Sequence, residues 1–343
     1  MRKRLVALGC FVWCGSVHAA GPVELSGLVD TYLAWDSAHP RSGAISGLTN
    51  PSLDATPSVN LILLEGKLTL GGFHAQLDVG AGSSLDSLHA PDPTLPAPSE
   101  AWKYLVQAYL GYTIPVGRGL TIDAGVMPSH IGFEVFAPRD NWNYSHAWMA
   151  ELSPYYQTGV RASYPFTDHL SAQLLWLNGW GLIDQDRGFR SAGAQLAWSS
   201  DRVSAALNLF AGPPRAGGAG TRLFGDSWVS LTVAPKLKLA VAFDGGVDLL
   251  ATGDVTWFTG GAYVRFAPIE RLAFTVRSDL VDDRDGGSVT GIGERLVEGT
   301  VTAALTLGPL EARLEGRYDH ASAATLDGQT QRGLLIAALM GKF

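Results

Sequence analysis

The chain has 343 residues, 46% of them hydrophobic, and its mean hydropathy of +0.12 is high for a soluble protein. Lys and Arg number 25 against 32 Asp and Glu, which provides no basic face for phosphate backbones and argues against nucleic acid as a partner. Both cysteines, Cys10 and Cys14, fall in the first twenty residues, so the remainder offers no disulfide, metal-thiolate or thiol chemistry.

Residues 1–20 read as a signal peptide: a basic start at Arg2, Lys3 and Arg4, an apolar core from Leu5 to Val17, and a small-residue cleavage site at Val17-His18-Ala19 or His18-Ala19-Ala20. That core is shorter than the ~20 residues of a spanning helix, which disfavours an N-terminal membrane anchor. Without those three basic residues the chain carries 22 basic and 32 acidic side chains, a net charge of about −10. Beyond the signal, the longest unbroken apolar run is Leu334 to Met340, again too short for a helix to cross a bilayer.

From residue 21 onward the apolar side chains recur at period two. Phe73, Ala75, Leu77 and Val79 oppose His74, Gln76 and Asp78; Trp102, Tyr104, Val106, Ala108, Leu110 and Tyr112 oppose Lys103, Gln107 and Tyr109. Phe258, Ala262, Val264 and Phe266 oppose Thr259, Tyr263 and Arg265, and Leu272, Phe274, Val276 and Leu280 oppose Thr275, Arg277 and Asp279. Leu310 to Asp319 alternates without a break, with Glu311, Arg313, Glu315, Arg317 and Asp319 all on one face. A helix would scatter those charges; a strand collects them.

Two kinds of connection alternate between these strands. Tight turns stand at Leu70-Gly71-Gly72, Pro115 to Gly119, Pro165 to Asp168, Ser199 to Asp201, Ala234-Pro235, Ala267 to Glu270 and Gly308-Pro309. Longer polar segments run over Asp36 to Pro57, Ser83 to Ala101, Met127 to Pro154, Gly179 to Gly188, Gly212 to Thr221, Gly245 to Asp254, Asp282 to Gly291 and His320 to Thr330. About 16 strands of roughly 9 to 12 residues result, the length that crosses an outer membrane. The fold expected over residues 21–343 is therefore a single all-β transmembrane antiparallel barrel with short periplasmic turns and long external loops. A soluble sandwich would have strands nearer ~6 residues and no one-sided loop lengths.

The presumed outer face carries aromatics at both ends, Trp35, Trp102, Tyr156 and Trp176 near the long loops and Tyr112, Tyr164, Phe166, Phe266 and Phe343 near the turns. Such belts suit the two headgroup levels. Phe343 also closes a period-two run of Leu335, Ala337, Leu339 and Gly341, and this terminus resembles the one by which outer-membrane assembly machinery recognises barrels.

No packing period explains the stretch after Gly125: Ile131-Gly132-Phe133-Glu134, Asn141-Trp142-Asn143-Tyr144-Ser145, Thr158-Gly159-Val160-Arg161, Pro165 to Asp168 and Asn178-Gly179-Trp180. This stretch, with Ser26 to Tyr32 at the start, resembles the OmpL-like β-barrel porin family of the porin-2 type. Met127-Pro128 departs from it, standing where the family pattern leads to a basic residue. The resemblance implies a porin of the Gram-negative outer membrane, a transport channel with no catalytic residues to carry over.

A 16-stranded lumen is too wide for wall side chains to fill, so selectivity requires something inside it. The third and longest external connection, 127–154, is expected to fold inward. Ile131, Phe133, Val135 and Phe136 would pack on the inner wall while Glu134, Arg139 and Asp140 face water. Charges at a constriction tune ion passage through their local field. Glu134 and Asp140 are expected to face Arg161 and others of the lumen arginines Arg265, Arg277, Arg313 and Arg317, with Asp78, Asp279, Glu298, Glu311 and Glu315 nearby; the alternative is that these are solvated pairs across strands. Asn141 and Asn143 read as partners of loop backbone, and Trp142 and Tyr144, with Trp148 and Trp180, as anchors of the loop or outer girdle rather than a stacking track.

The expectation is a porin passing small hydrophilic solutes or ions through a lumen narrowed by 127–154. Competing readings are an adhesin or scaffold acting through external loops, and a barrel enzyme. Against the enzyme, Ser145-His146 is poor geometry for a nucleophile and base, no GxSxG elbow occurs, and the histidines show no metal-ligand spacing. Asp282-Asp283-Arg284-Asp285-Gly286-Gly287 lacks the spacing of an EF-hand loop. No cofactor or metal is expected. Partners are outer-membrane lipid and lipopolysaccharide, the solutes, and the assembly machinery at Phe343, with a homotrimer left open.

Overall fold

A computed structural model describes residues 21–90, 99–183, 190–214, 220–284 and 293–343; the expected signal peptide, the proline-rich piece 91–98 and Asp285 to Gly287 lie outside them. The strands are β1 (Val23–Asp36), β2 (Ser58–Leu70), β3 (Phe73–Ala81), β4 (Leu105–Ile114), β5 (Leu120–Pro128), β6 (Tyr156–Pro165), β7 (Leu170–Leu177) and β8 (Ser191–Ser199). They continue as β9 (Val203–Gly212), β10 (Thr221–Ala234), β11 (Leu237–Leu249), β12 (Val255–Ile269), β13 (Leu272–Asp282), β14 (Arg295–Leu307), β15 (Leu310–Ala321) and β16 (Gln331–Lys342). Each pairs antiparallel with its neighbours in sequence, and β1 closes on β16 into a barrel. Closure leaves no edge, as lipid demands, because an unpaired N–H or C=O there has no water to bond.

The alternation read from the sequence sets the two surfaces. On β15 Leu310, Leu314 and Tyr318 are exposed while Arg313, Glu315, Arg317 and Asp319 are buried. On β12 Phe258, Val264 and Phe266 are exposed and Thr259 and Tyr263 buried. Exposed apolar side chains alternating with buried charges invert the order of a soluble protein and fit a lipid-facing outside around a polar inside. At the seam, Gly27 N donates to Phe343 O (2.9 Å) and Phe343 N to Gly27 O (3.2 Å). A Cβ on Gly27 would lie 2.2 Å from Cζ of the Phe343 ring, so glycine there lets the terminal aromatic lie flat across the first strand.

The structure departs from the sequence reading in three places. β4 begins at Leu105, and Trp102 and Tyr104 belong to a 3-10 turn, Ser99–Tyr104. The pairing of β3 with β4 ends at Val79 and Leu105 after an irregularity at Asp78, so the earlier residues have no strand edge to join. β11 runs on to Leu249, because Val247 and Leu249 continue to pair with Leu223 and Thr221, and the external connection shrinks to 250–254. Tyr156, expected in the outer belt, is buried with its ring 5.2 Å from that of His89, at the end of helix α1 (Ser83–His89) in the second long connection. Trp35, Trp176, Tyr112, Phe166, Phe266 and Phe343 are exposed.

Candidate functional site

The connection between β5 and β6 carries a 3-10 turn, Pro138–Asp140, and a short helix α2 (Trp148–Glu151). Its approach is set by Gly125, whose φ of 134° lies in the region open to glycine and where a Cβ would lie 2.2 Å from the Ala108 carbonyl oxygen. Past β5, His130 lies 2.7 Å through Nδ1 from the Gln157 side chain and 3.0 Å through Nε2 from the Leu209 carbonyl oxygen. Burial lowers its pKa, which favours the neutral ring. Ile131 then joins Leu175, Leu177, Phe210, Phe224 and Trp257 in an apolar cluster.

The rest of the loop is irregular and buried, so its backbone polar groups need partners that no regular structure supplies. The wall provides them. Glu315 accepts from Tyr144 N (2.6 Å) and Ser145 N (2.9 Å), Asp279 from Met149 N (3.1 Å), and Asp319 from the Trp148 indole N–H (2.8 Å). Arg313 donates to the carbonyls of Pro138 (3.0 Å) and Asn143 (2.8 Å), and Arg277 to that of Ser145 (2.5 Å). All these wall groups lie on β13 and β15, in register with exposed apolar residues on the opposite face; the loop therefore lies against the inner surface. The first long connection adds Asn50 Nδ2 donating to Tyr144 O (2.6 Å) and Thr49 Oγ1 to the Glu151 carboxylate (2.9 and 3.0 Å).

Glu134 is buried, not solvated: Oε1 lies 3.0 Å from Arg277 Nη1, and Oε2 accepts from Ala147 N at 2.8 Å. Arg277 is fully buried and also holds Glu298 through Nε (2.8 Å) and Nη2 (3.1 Å). Arg317 continues the line to Asp319 (2.8 Å), with its guanidinium over the Trp148 ring. The expected pairing of Glu134 with Arg161 does not occur. Arg161 on β6 binds Asp123 on the adjacent β5 through Nε (3.0 Å) and Nη2 (2.8 Å), and Asp123 also meets His74 Nε2 at 2.6 Å. The directly opposed register of Asp123 and Arg161 makes this local pair shorter than any reach across the lumen.

Arg139 and Asp140 are likewise withdrawn from water, bonded to each other at 3.3 Å, with Arg139 also bound to Glu65 of β2. Burial holds the Asp140 carboxyl above its ordinary pKa, against the lowering effect of Arg139. Arg265 is half-buried on the inner face near Arg313 and Glu311. Asn141 pairs both ends of its amide with the Val135 backbone, at 2.9 and 2.6 Å. Asn143 instead donates to the Thr302 hydroxyl at 2.7 Å. Tyr144 is fully buried, its hydroxyl donating to Asp30 at 3.0 Å, while half-buried Trp142 packs edge-on to Phe133 at 5.4 Å. The sequence reading missed Asp30, Asp123, Asp226, Asp244 and Arg332. The alternation that placed Arg277 inside also places Asp226, on the positions alternate to the exposed Leu223, Leu231 and Val233, although Phe224 and Trp228 on its own face blur that signal.

The family described as "Putative beta-barrel porin-2, OmpL-like" matches residues 22–342. The chain belongs to this porin family. Among solved structures, the anion-selective porin from Comamonas acidovorans shares the fold with a TM-score of 0.60 at 14% identity, covering 94% of this chain and 99% of that one. OmpT, an outer membrane protein of Vibrio cholerae, in its trimer form, gives 0.62 at 10% identity over 95% and 100%. No curated protein matches the chain. Membership and fold together identify an outer-membrane porin-type barrel.

Proposed function

We propose that this porin passes small hydrophilic solutes or ions by passive diffusion through a lumen narrowed by the loop 127–154. The observation that carries the reading is the fixing of that loop on the inner wall by Glu134 and Arg277, with Glu315 and Arg313 holding its backbone. Inner-face groups that keep solvent access, namely His74, Gln76, Tyr109, Arg161 and Arg265, would line the remaining passage with Trp142 and Trp228 at its side. Arg265, and Arg161 with its partner Asp123, would be the charged groups nearest that passage. In this reading Glu134, Arg139 and Asp140 shape the constriction from behind, and the arginines are what a passing ion meets.

The signal peptide would be removed on export, Phe343 would present the terminus to the assembly machinery, and a trimer is the assembly proposed, supported by the trimeric form of OmpT. The test is single-channel conductance of the refolded 21–343 chain in planar bilayers, with reversal potentials in a salt gradient. Stepwise, ohmic openings support the porin; a folded barrel that passes no current overturns it.

A further inference from the structure

Several buried carboxylates inside this barrel, Asp123, Glu298 and Asp319 among them, pair with a guanidinium; the directly opposed Asp226 of β10 and Asp244 of β11 instead face each other. Their Cα atoms are in register, as are those of Asp244 and Thr259 of β12. Asp226 and Asp244 are each 1% exposed and Thr259 is fully buried. Two buried like charges on facing positions destabilise a sheet unless something stands between them. Among the described residues neither acid forms an ion pair with Lys or Arg. Instead Asp226 Oδ1 accepts from the Asn208 amide and from Gly132 N (3.3 Å), and Asp244 Oδ2 from Ser153 Oγ (3.3 Å). Gly132 and Ser153 belong to the entering and returning arms of the loop, so both arms end on the same pair.

Asp244 has both the Asp226 carboxylate and the Thr259 hydroxyl as close neighbours, yet three buried oxygens here make no hydrogen bond of good geometry: Asp226 Oδ2, Asp244 Oδ1 and the Thr259 hydroxyl. The hydroxyl belongs to neither acid, and its neighbour across the ladder is Asp244. A buried polar atom with no partner is unfavourable, and three together on one rung, all oxygen, describe the ligand set of a hard cation. We infer that Asp226 and Asp244, with the hydroxyls of Thr259 and Ser153, bind a divalent cation of the calcium type that ties both arms of the 127–154 loop to the wall. Two carboxylates neutralise a 2+ charge, and carboxylate and hydroxyl oxygens are what calcium takes, water completing its six to eight ligands. No group of three or more acidic, His or Cys side chains is set to hold a metal among the described residues; the ligands here are two acids and two alcohols. The inference rests on how the loop packs and is independent of whether the barrel conducts.

The experiment is thermal unfolding of the refolded chain in detergent, followed by intrinsic fluorescence in calcium chloride and in EDTA, with calcium titrated calorimetrically. Calcium at about 100-fold over its Kd is expected to raise Tm by several degrees. Asp226→Asn and Asp244→Asn are expected to abolish the shift, and Thr259→Val, which keeps both acids, to weaken calcium binding about tenfold. Equal Tm of the wild type in calcium and EDTA overturns the site, as does a shift that survives in both Asn variants, which would locate the cation elsewhere. An Asp244→Asn variant more stable than wild type, in a protein indifferent to calcium, overturns it in favour of a proton shared between the two acids.

Discussion

Glu134→Ala is the perturbation that most directly separates a loop fixed inside the barrel from one merely near it. The side chain is 3% exposed and makes two contacts, the ion pair with Arg277 and the acceptance from Ala147 N. Removing one partner of a buried pair costs about 3–5 kcal/mol when the other charge is left alone. Arg277 is not left alone, because Glu298 keeps both its bonds, so the lower end applies. The stranded Ala147 N–H adds about 1–3 kcal/mol. About 4–6 kcal/mol of loop anchoring is thus removed, enough for the segment around Tyr144 to Met149 to leave the wall. The expected record is a barrel that still refolds, with openings of unequal size and raised open-channel noise.

Charge alone does much less. One unit at roughly 10 Å with an effective dielectric of 20 to 80 and a Debye length of about 10 Å changes an ion's energy by about 0.15–0.6 kcal/mol, a factor of roughly 1.3 to 3 in selectivity. Glu134→Gln, which retains one acceptor for Ala147 N, is therefore expected to give quiet openings and a shift toward anions of that size. Conductance, noise and reversal potential unchanged in Glu134→Ala would refute the fixed loop.

Arg161→Gln removes the guanidinium from Asp123 while His74 stays at 2.6 Å from that carboxylate, so the barrel is expected to fold and its reversal potential to move toward cations by a few-fold in permeability ratio. Tyr144→Phe deletes the bond to buried Asp30 (3.0 Å) and is expected to lower stability by about 1–3 kcal/mol, read as a lower Tm with the barrel intact on a folded-against-unfolded gel shift. Asp140 has a folded pKa raised by burial, so its contribution favours folding below the ordinary carboxylate pKa and is lost as pH rises through the raised one. Asp140→Asn should flatten that segment of the Tm–pH curve; a wild-type curve without such a fall rejects the assignment. Deleting Phe343 removes both backbone bonds to Gly27 at the seam and is expected to lower the refolded yield.

The wall was legible because strands in a lipid-facing barrel obey one rule, and Leu310 to Asp319 states it without interruption. Where a strand carries small or aromatic residues on both faces, as near Trp102 and Tyr104, the rule loses its contrast and a 3-10 turn is not distinguishable from pairing. Long-range partners were not legible at all. Nothing in the spacing of Glu134 says that its arginine is 143 residues away on β13 and not Arg161, because a wall arginine is first claimed by an acid on the adjacent strand, and that register is known only once the hairpins are closed. Asp123 opposite Arg161 is such a claim; Asp248 opposite Arg222 is another, at 2.8 Å.

The acidic excess of the chain has a structural reading in these pairs. A folded-in loop brings N–H groups that a strand would have bonded, and acceptors must be supplied from the wall or from the loop itself. Asp226, Glu315 and Asp279 each take loop backbone N–H groups, and so does Glu134 from within the loop. Carboxylates are stronger acceptors than neutral groups by roughly twofold, but each brings a charge that must be balanced. Arg277, Arg313 and Arg317 supply that balance and spend their remaining donors on loop carbonyls. The same side chains that hold the loop thus set the field behind it, so a substitution made to alter selectivity at Arg277 or Arg313 will also loosen the loop. Arg161 and Arg265 stand outside that coupling, since among the described residues Arg161 bonds Asp123 and neither bonds the loop, so the inner-face charge at those two positions can be changed with the loop's anchors left in place.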